Sequence, residues 1–289
     1  MVKLLQDSIL EGEDKMNDML TKSKIFNDYH HDSSILILPN AWDVMSAKIY
    51  EDLNYRAIGT TSAGIAASLG YSDGEQLPFE SMLDVIEKIA QSVNIPVSAD
   101  IESGYGETIE EILENVRKII ASGVVGINLE DSKKNHIYSL YDTAYQQKKI
   151  ESIKNVSISE GVPLFINART DAYILNNNRV EGTMIRAQAY KDAGADGIFI
   201  PGLAQKEHIH MFTKKINLPL NVLIHESTPS IPDLECLNVS RISFGSGAYR
   251  ATISTLRKLA SEVITKGQYE TMTNEVISYE NMMGFLHKN

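Results

Sequence analysis

Two carboxylates stand two residues apart in Asp100-Ile-Glu102-Ser-Gly104-Tyr-Gly106, directly after the apolar run Ile95-Pro-Val-Ser-Ala99. A strand alternates its faces, so Asp100 and Glu102 can aim the same way where a buried strand ends. The glycines just beyond permit a sharp turn and the close approach of a ligand. Two converging acids are costly unless a cation or a proton lies between them. Few, hard oxygen ligands of this kind suit Mg²⁺ or Mn²⁺. Taken alone, the pair also fits a solvated loop whose acids cap a helix.

The same kind of residue recurs after other apolar runs. Thr60-Thr61-Ser62-Ala63-Gly64 offers hydroxyls and free backbone N–H groups suited to a carboxylate or phosphoryl group, and its loop continues to Asp73-Gly74. Further runs end in Glu130-Asp131, in Asn167-Ala-Arg169-Thr170-Asp171, in His225-Glu226 and in Gly245-Ser246-Gly247. Each has a plainer reading by itself. Glu130 or Asp131 suits a helix cap, Arg169 with Asp171 an internal salt bridge, and His225 a satisfied loop histidine. What argues for a site is that the acids, one Arg and one His all occupy the same kind of position.

That position is set by a regular alternation of elements. Eight short apolar runs read as strands: 35–38, 56–60, 96–99, 124–129, 163–167, 197–200, 220–224 and 241–244. The segments between them read as helices. In 107–122, Ile109, Ile112, Leu113, Val116, Ile119 and Ile120 repeat at three- and four-residue steps, and Gly123 follows as a stop. Segment 78–92 opens on Pro78, and 183–193 ends before Gly194. Strands alternating with helices imply a parallel sheet, and eight such units predict a (β/α)₈ TIM barrel of the α/β class. A doubly wound open sheet is the alternative, but no G-x-G-x-x-G follows the first strand. Active sites of (β/α)₈ enzymes lie at the C-terminal strand ends, where the polar residues above stand. Residues 1–34 read as a peripheral helical extension, 35–265 as the barrel and 266–289 as an apolar helical tail suited to oligomerisation. Ala251–Thr265 supplies the eighth helix.

The whole-chain properties narrow the chemistry. The chain has 289 residues, is 43% hydrophobic and carries a formal net charge of −11. That balance argues against a nucleic-acid or anionic-membrane partner. One cysteine, Cys236, allows no internal disulfide, which suits a reducing cytoplasm. Residues 1–8 hold no apolar core or cleavage-like site, and no run of about 18 apolar residues suggests a membrane span. No lysine ends a strand, which disfavours a Schiff-base aldolase. G-x-S-x-G, H-E-x-x-H and Cys/His zinc sets are absent.

With these residues in place, the chain resembles the isocitrate lyase/phosphoenolpyruvate mutase superfamily from about Leu38 to about Arg250. The resemblance rests on Leu38-Pro-Asn-Ala-Trp-Asp43, Thr61-Ser-Ala-Gly64, Leu69-Gly-Tyr-Ser-Asp73, Ser98-Ala-Asp-Ile-Glu-Ser-Gly-Tyr-Gly106, Asn128-Leu-Glu-Asp-Ser132, Ala168-Arg-Thr-Asp-Ala172, Ala193-Gly-Ala-Asp-Gly-Ile-Phe-Ile-Pro201 and Arg241-Ile-Ser-Phe-Gly245. It implies a barrel whose last helix is exchanged between subunits, in a dimer or tetramer. It implies Mg²⁺ or Mn²⁺ held mainly at Asp100, with Asp73, Glu102 and Glu130 around it. Thr61, Ser62 and Ala63 match the carboxylate cradle. Arg169 matches the arginine near the reacting bond, and Asp100 and Asn167 are further expected substrate contacts. Family substrates are 2-oxo or 2-hydroxy acids, transformed through a metal-bound enolate.

The departures bear on the reaction. Isocitrate and methylisocitrate lyases carry a loop cysteine after the fourth strand, whereas this chain reads Asp131-Ser-Lys-Lys-Asn-His-Ile-Tyr-Ser-Leu140. The expected activity is therefore a Mg²⁺-dependent, oxaloacetate decarboxylase-like lyase that cleaves a C–C bond of a small 2-oxo acid. Arg169, His225 and Glu130 are the expected catalytic residues. Phosphonopyruvate hydrolase or mutase chemistry, with Lys133 or Lys134 near the phosphonyl group, is one alternative. A non-catalytic barrel that binds a 2-oxo acid is another.

Overall fold

The apolar runs pair side by side in the computed structural model, which describes residues 2–133, 139–175 and 179–287. The strands are β1 (Leu36–Leu38), β2 (Asn40–Ala41), β3 (Ile58–Thr60), β4 (Val97–Asp100), β5 (Gly126–Glu130), β6 (Phe165–Arg169), β7 (Gly197–Phe199), β8 (Leu220–Leu223) and β9 (Arg241–Ser243). All pair in parallel, in the order β1-β9-β8-β7-β6-β5-β4-β3-β2. β1 and β2 are two pieces of one stave, split at Pro39, and each piece closes one side of the ring. Proline has no N–H to give to a ladder, but its carbonyl still accepts from the Gly59 amide. The Asn40 side chain repairs the break. Its Nδ2 donates to the Thr60 carbonyl, and its Oδ1 accepts from the amides of Phe244 and Gly245. The expected eight-stave α/β barrel is present, with its first stave broken in two.

Before the barrel lies α1 (Val2–Tyr29). The crossovers carry α2 (Val44–Asp52), α3 (Ser62–Ser68), α4 (Phe79–Ser92), α5 (Ile109–Ala121), α6 (Thr143–Ser159), α7 (Ala172–Leu175), α8 (Arg179–Asp192), α9 (Lys206–Ile216) and α10 (Ile231–Cys236). The chain ends with α11 (Gly247–Lys266), α12 (Glu270–Thr273) and α13 (Tyr279–His287). In α5, a Thr108/Glu111 capping box fixes the start, and Ile109, Ile112, Val116, Ile119 and Ile120 form the buried stripe. Each such side chain contributes about 1.5–3 kcal/mol on burial.

Strand alternation separates two environments. Val97, Ala99, Ile127, Leu129, Ile166, Ala168, Ile198, Val222 and Ile242 join the helices in one large apolar core. The alternate positions line the lumen: Arg241 on β9 donates to the Asn128 side chain on β5, a reach possible only across the barrel interior. The lumen's N-terminal end is closed by a separate apolar cluster of Phe26, Leu36, Leu38, Ala57, Val125 and Phe165. Phe26 and His30 pack on Phe165, and Ser23 donates to the Pro163 carbonyl. The last turns of the N-terminal extension are thus a plug built into the barrel and are not peripheral. At the other terminus, α11 buries none of its residues.

Candidate active site

The acids gather at the C-terminal rim because β4, β5 and β6 all end in polar residues. Asp100 closes β4. Its Oδ2 accepts from the Ser62 hydroxyl at 3.0 Å and the Ser62 amide at 3.3 Å, and its own amide donates to Thr60 Oγ1 at 2.9 Å. Thr61 caps α3 and brings Ser62 and Ala63 to the start of that helix. Burial pushes the Asp100 carboxyl up to about 6. Arg169 opposes the rise, and the nearby charges of Glu130, Glu102 and Asp73 add to it.

Arg169 closes β6 and is held by two carboxylates. Its Nε and Nη2 donate to both oxygens of Asp171, at 2.8 and 3.0 Å, and its Nη1 pairs with Glu130 at 2.8 Å. Burial alone would lower its pKa. The Glu130 and Asp171 charges outweigh that and hold the guanidinium more firmly protonated than usual. Ser132 donates to Asp171 at 2.5 Å. The planar fork is therefore fixed in direction before any ligand arrives.

Glu102 lies in a strained turn. Glu102 and Tyr105 have φ of 51° and 57°, in the left-handed region disfavoured for residues with a Cβ, and Gly104 between them has φ 112°. The Glu102 carboxylate accepts from the Tyr105 hydroxyl at 2.8 Å and the Glu75 amide at 2.9 Å. Burial, and then the Glu102 charge, raise the Tyr105 hydroxyl pKa, so it stays a donor. Glu75 returns the contact: its Oε1 accepts from the Ser103 amide, the Ser103 hydroxyl and the Tyr105 amide, at 3.1, 2.9 and 2.9 Å.

Not every candidate reaches this centre. Asp73 is exposed and acts on Asp100 only as a nearby charge. Asn167 is buried in the lumen and donates to Asn128 at 2.8 Å. His225 accepts the Ser227 amide at Nδ1, and its buried Nε2 has no partner. Asp131 is a structural hub: it accepts from Thr170, the Asp171 amide, Tyr190 and Arg186. It anchors the following loop, whose ends meet in a Ser132–Leu140 bridge. Lys133 stands over the Tyr141 ring, and Lys134 and Asn135 lie outside the described residues.

Glu75, Tyr105, Asn128 and Arg241 are not among the site residues expected from the sequence, although the last three stand inside the family-like motifs. A signal was available for the last two. Ser98, Asp100, Asn128, Glu130, Asn167, Arg169, Asn221, Arg241 and Ser243 hold alternate places on otherwise apolar strands. Arg241 is fully buried, its Nε and Nη1 lack partners, and desolvation pulls it down to about 9.

Among the described residues, no three of His, Cys, Asp and Glu form a ready metal cage. The donors do fit an ion that keeps most of its own water. Asp100 is a carboxylate crowded by other acids and drawn toward its neutral form, a state that a divalent cation relieves.

The phosphoenolpyruvate phosphomutase family model matches residues 26–264. An uncharacterized protein of Mycobacterium tuberculosis H37Rv is 34% identical over 263 residues, covering 89% of this chain and 97% of its own length. An oxaloacetate decarboxylase of Pseudomonas fluorescens SBW25 is 28% identical over 232 residues, covering 74% of this chain and 75% of its own. The solved structure of a candidate phosphonomutase of Burkholderia cenocepacia J2315 superposes with a TM-score of 0.80 at 37% identity. It covers 83% of this chain and 99% of that one.

Proposed function

The chain belongs to the phosphoenolpyruvate phosphomutase family, within a superfamily of lyases and mutases, and from that premise we propose that it is a divalent-metal-dependent lyase of small 2-oxo acids. The favoured reaction is C–C cleavage of the oxaloacetate decarboxylation type. One observation carries this reading: a pre-oriented Arg169 fork stands beside the acid-crowded carboxylate of Asp100.

Asp100 would hold Mg²⁺ or Mn²⁺ directly, and Glu130, Glu102 and Asp73 would act through water. When bound, the metal supplies Lewis-acid stabilisation of negative charge developing on the 2-oxo oxygen. The chain's own residues do the rest. Thr61, Ser62 and Ala63 present the start of α3 to the substrate carboxylate. Arg169 donates to the second carboxylate or the leaving group, with Glu130 and Asp171 fixing its plane. His225, whose Nε2 has no partner, would supply the product's proton if the loop after β8 brought it to the centre. The relative that is an oxaloacetate decarboxylase supports this choice.

The test is pyruvate release from oxaloacetate, with and without EDTA. Turnover that survives EDTA, or none above the spontaneous rate, rejects it. Phosphonate chemistry is the second reading, favoured by the Burkholderia relative. It requires a cation on the phosphonyl group, so loss of phosphonopyruvate turnover in Lys133→Ala or Lys134→Ala would support it.

The tail belongs to the same proposal. On α11, Leu256, Val263 and Ile264 are exposed, Ile264 at 84%, and Tyr269, Met272, Val276 and Ile277 follow with exposed side chains. An apolar face of this extent suits a second copy of the chain, as in an exchange of the last helices.

A further inference from the structure

We infer that Glu75 is a positioning residue for the acid cluster: through its carboxylate it fixes the strained 102–105 turn, and through its amide it fixes the Glu102 side chain beside Asp100. The inference rests on the reading of Asp100 as the metal-holding carboxylate.

Backbone N–H and C=O groups held away from water need partners. In the turn, the Gly104 amide donates to the Ile101 carbonyl. The Glu102 carbonyl accepts from the Glu130 amide, the Ser103 carbonyl from Lys149, and the Gly104 and Tyr105 carbonyls from Asn115. The Ser103 and Tyr105 amides both find their acceptor in Glu75 Oε1. With Glu75 withdrawn, two amides lose that acceptor beside two left-handed residues, and the turn has every reason to relax. The contact is reciprocal. The Glu75 amide holds Glu102 in place, and Glu75 itself sits at φ 56° after Gly74 at φ 89°. The two loops that carry Asp73 and Glu102 are therefore clasped to one another by two carboxylates. Neither loop is fixed by the barrel staves alone.

Reach and charge make different predictions here. Glu75→Gln keeps Oε1 at full reach and removes the charge. Glu75→Asp keeps the charge and withdraws the oxygen by about 1.5 Å, one C–C bond. Mn²⁺ binding is read by calorimetry at neutral pH on the full chain. Glu75→Gln is expected to bind within about threefold of the original, and Glu75→Asp about tenfold or more weakly. With no metal present, hydrogen exchange at the Ser103 and Tyr105 amides should speed up in Glu75→Asp only. If Glu75→Asp does not fold, Ser103→Ala, which removes one of the three donors, should still weaken Mn²⁺ about two- to threefold. Mn²⁺ affinity unchanged in Glu75→Asp or in Ser103→Ala, or lost equally in Glu75→Gln, overturns the positioning role. An original chain that binds no Mn²⁺ overturns the metal reading itself.

Discussion

The two ends of the barrel lumen are built on opposite principles. At the N-terminal end, Phe26, Leu36, Leu38 and Phe165 close on one another, and His30 is held neutral by burial and by the Arg241 charge. At the C-terminal rim, the charges of Asp100, Glu130 and Asp171 act on one guanidinium, Glu102 adds its charge beside Asp100, and loop amides donate to Asp100 and Glu102. The contrast teaches where each kind of free energy resides. The plug stabilises by removing apolar surface from water. The rim holds charge that the fold does not fully neutralise, which is a cost in stability and an asset for binding a cation.

Asp100→Asn is the sharpest way to test that division. It should reduce turnover roughly a thousandfold or more and abolish Mn²⁺ binding, while the metal-free protein becomes more stable. Phe26→Ala should do the reverse. It should destabilise by about 3–5 kcal/mol, measured by urea unfolding, while kcat of the remaining folded enzyme stays unchanged. A variant at the plug that lowers kcat without lowering stability would break the comparison.

Arg169→Lys keeps a charge but loses the fork, so kcat should fall about a hundredfold with little change in melting temperature. The pH dependence follows from Asp100. Its pKa in the folded chain lies near 6, against 3.8 ordinarily, so between those values the folded state retains a proton that the unfolded state releases. Metal-free stability should therefore fall as pH rises from about 4 to about 6, by about 1–3 kcal/mol, and level off above. Asp100→Asn should lack that slope. Mn²⁺ affinity should show the opposite trend, weakening as pH drops below about 6. The smallest effect is expected at the tail, where Ile264→Glu should lower the mass measured by light scattering and leave the monomer folded.

Much of this was legible in the chain. The alternation of apolar runs with periodic helices specifies a parallel barrel, because each pattern buries its apolar side in only one way. The end of each run then specifies which residues reach the rim, so Asp100, Glu130 and Arg169 could be named from their positions alone. Side-chain partners were not legible. Asp131 has the same sequence context as Glu130 yet faces Thr170, Tyr190 and Arg186, because strand alternation sends neighbours to opposite sides. Asn167 looked like a substrate contact and is a lumen residue bonded to Asn128, one alternation step below the rim.

The sequence by itself determined the fold and the set of groups at the rim, since both follow from periodicity and from what a strand end can carry. Only the tertiary structure decided how those groups divide their bonds. The clasp between Glu75 and the 102–105 turn joins residues 27 to 30 positions apart. The Arg241–Asn128 contact joins residues 113 apart. Contacts of that range depend on barrel closure and on left-handed turns at non-glycine residues, and no local pattern records either.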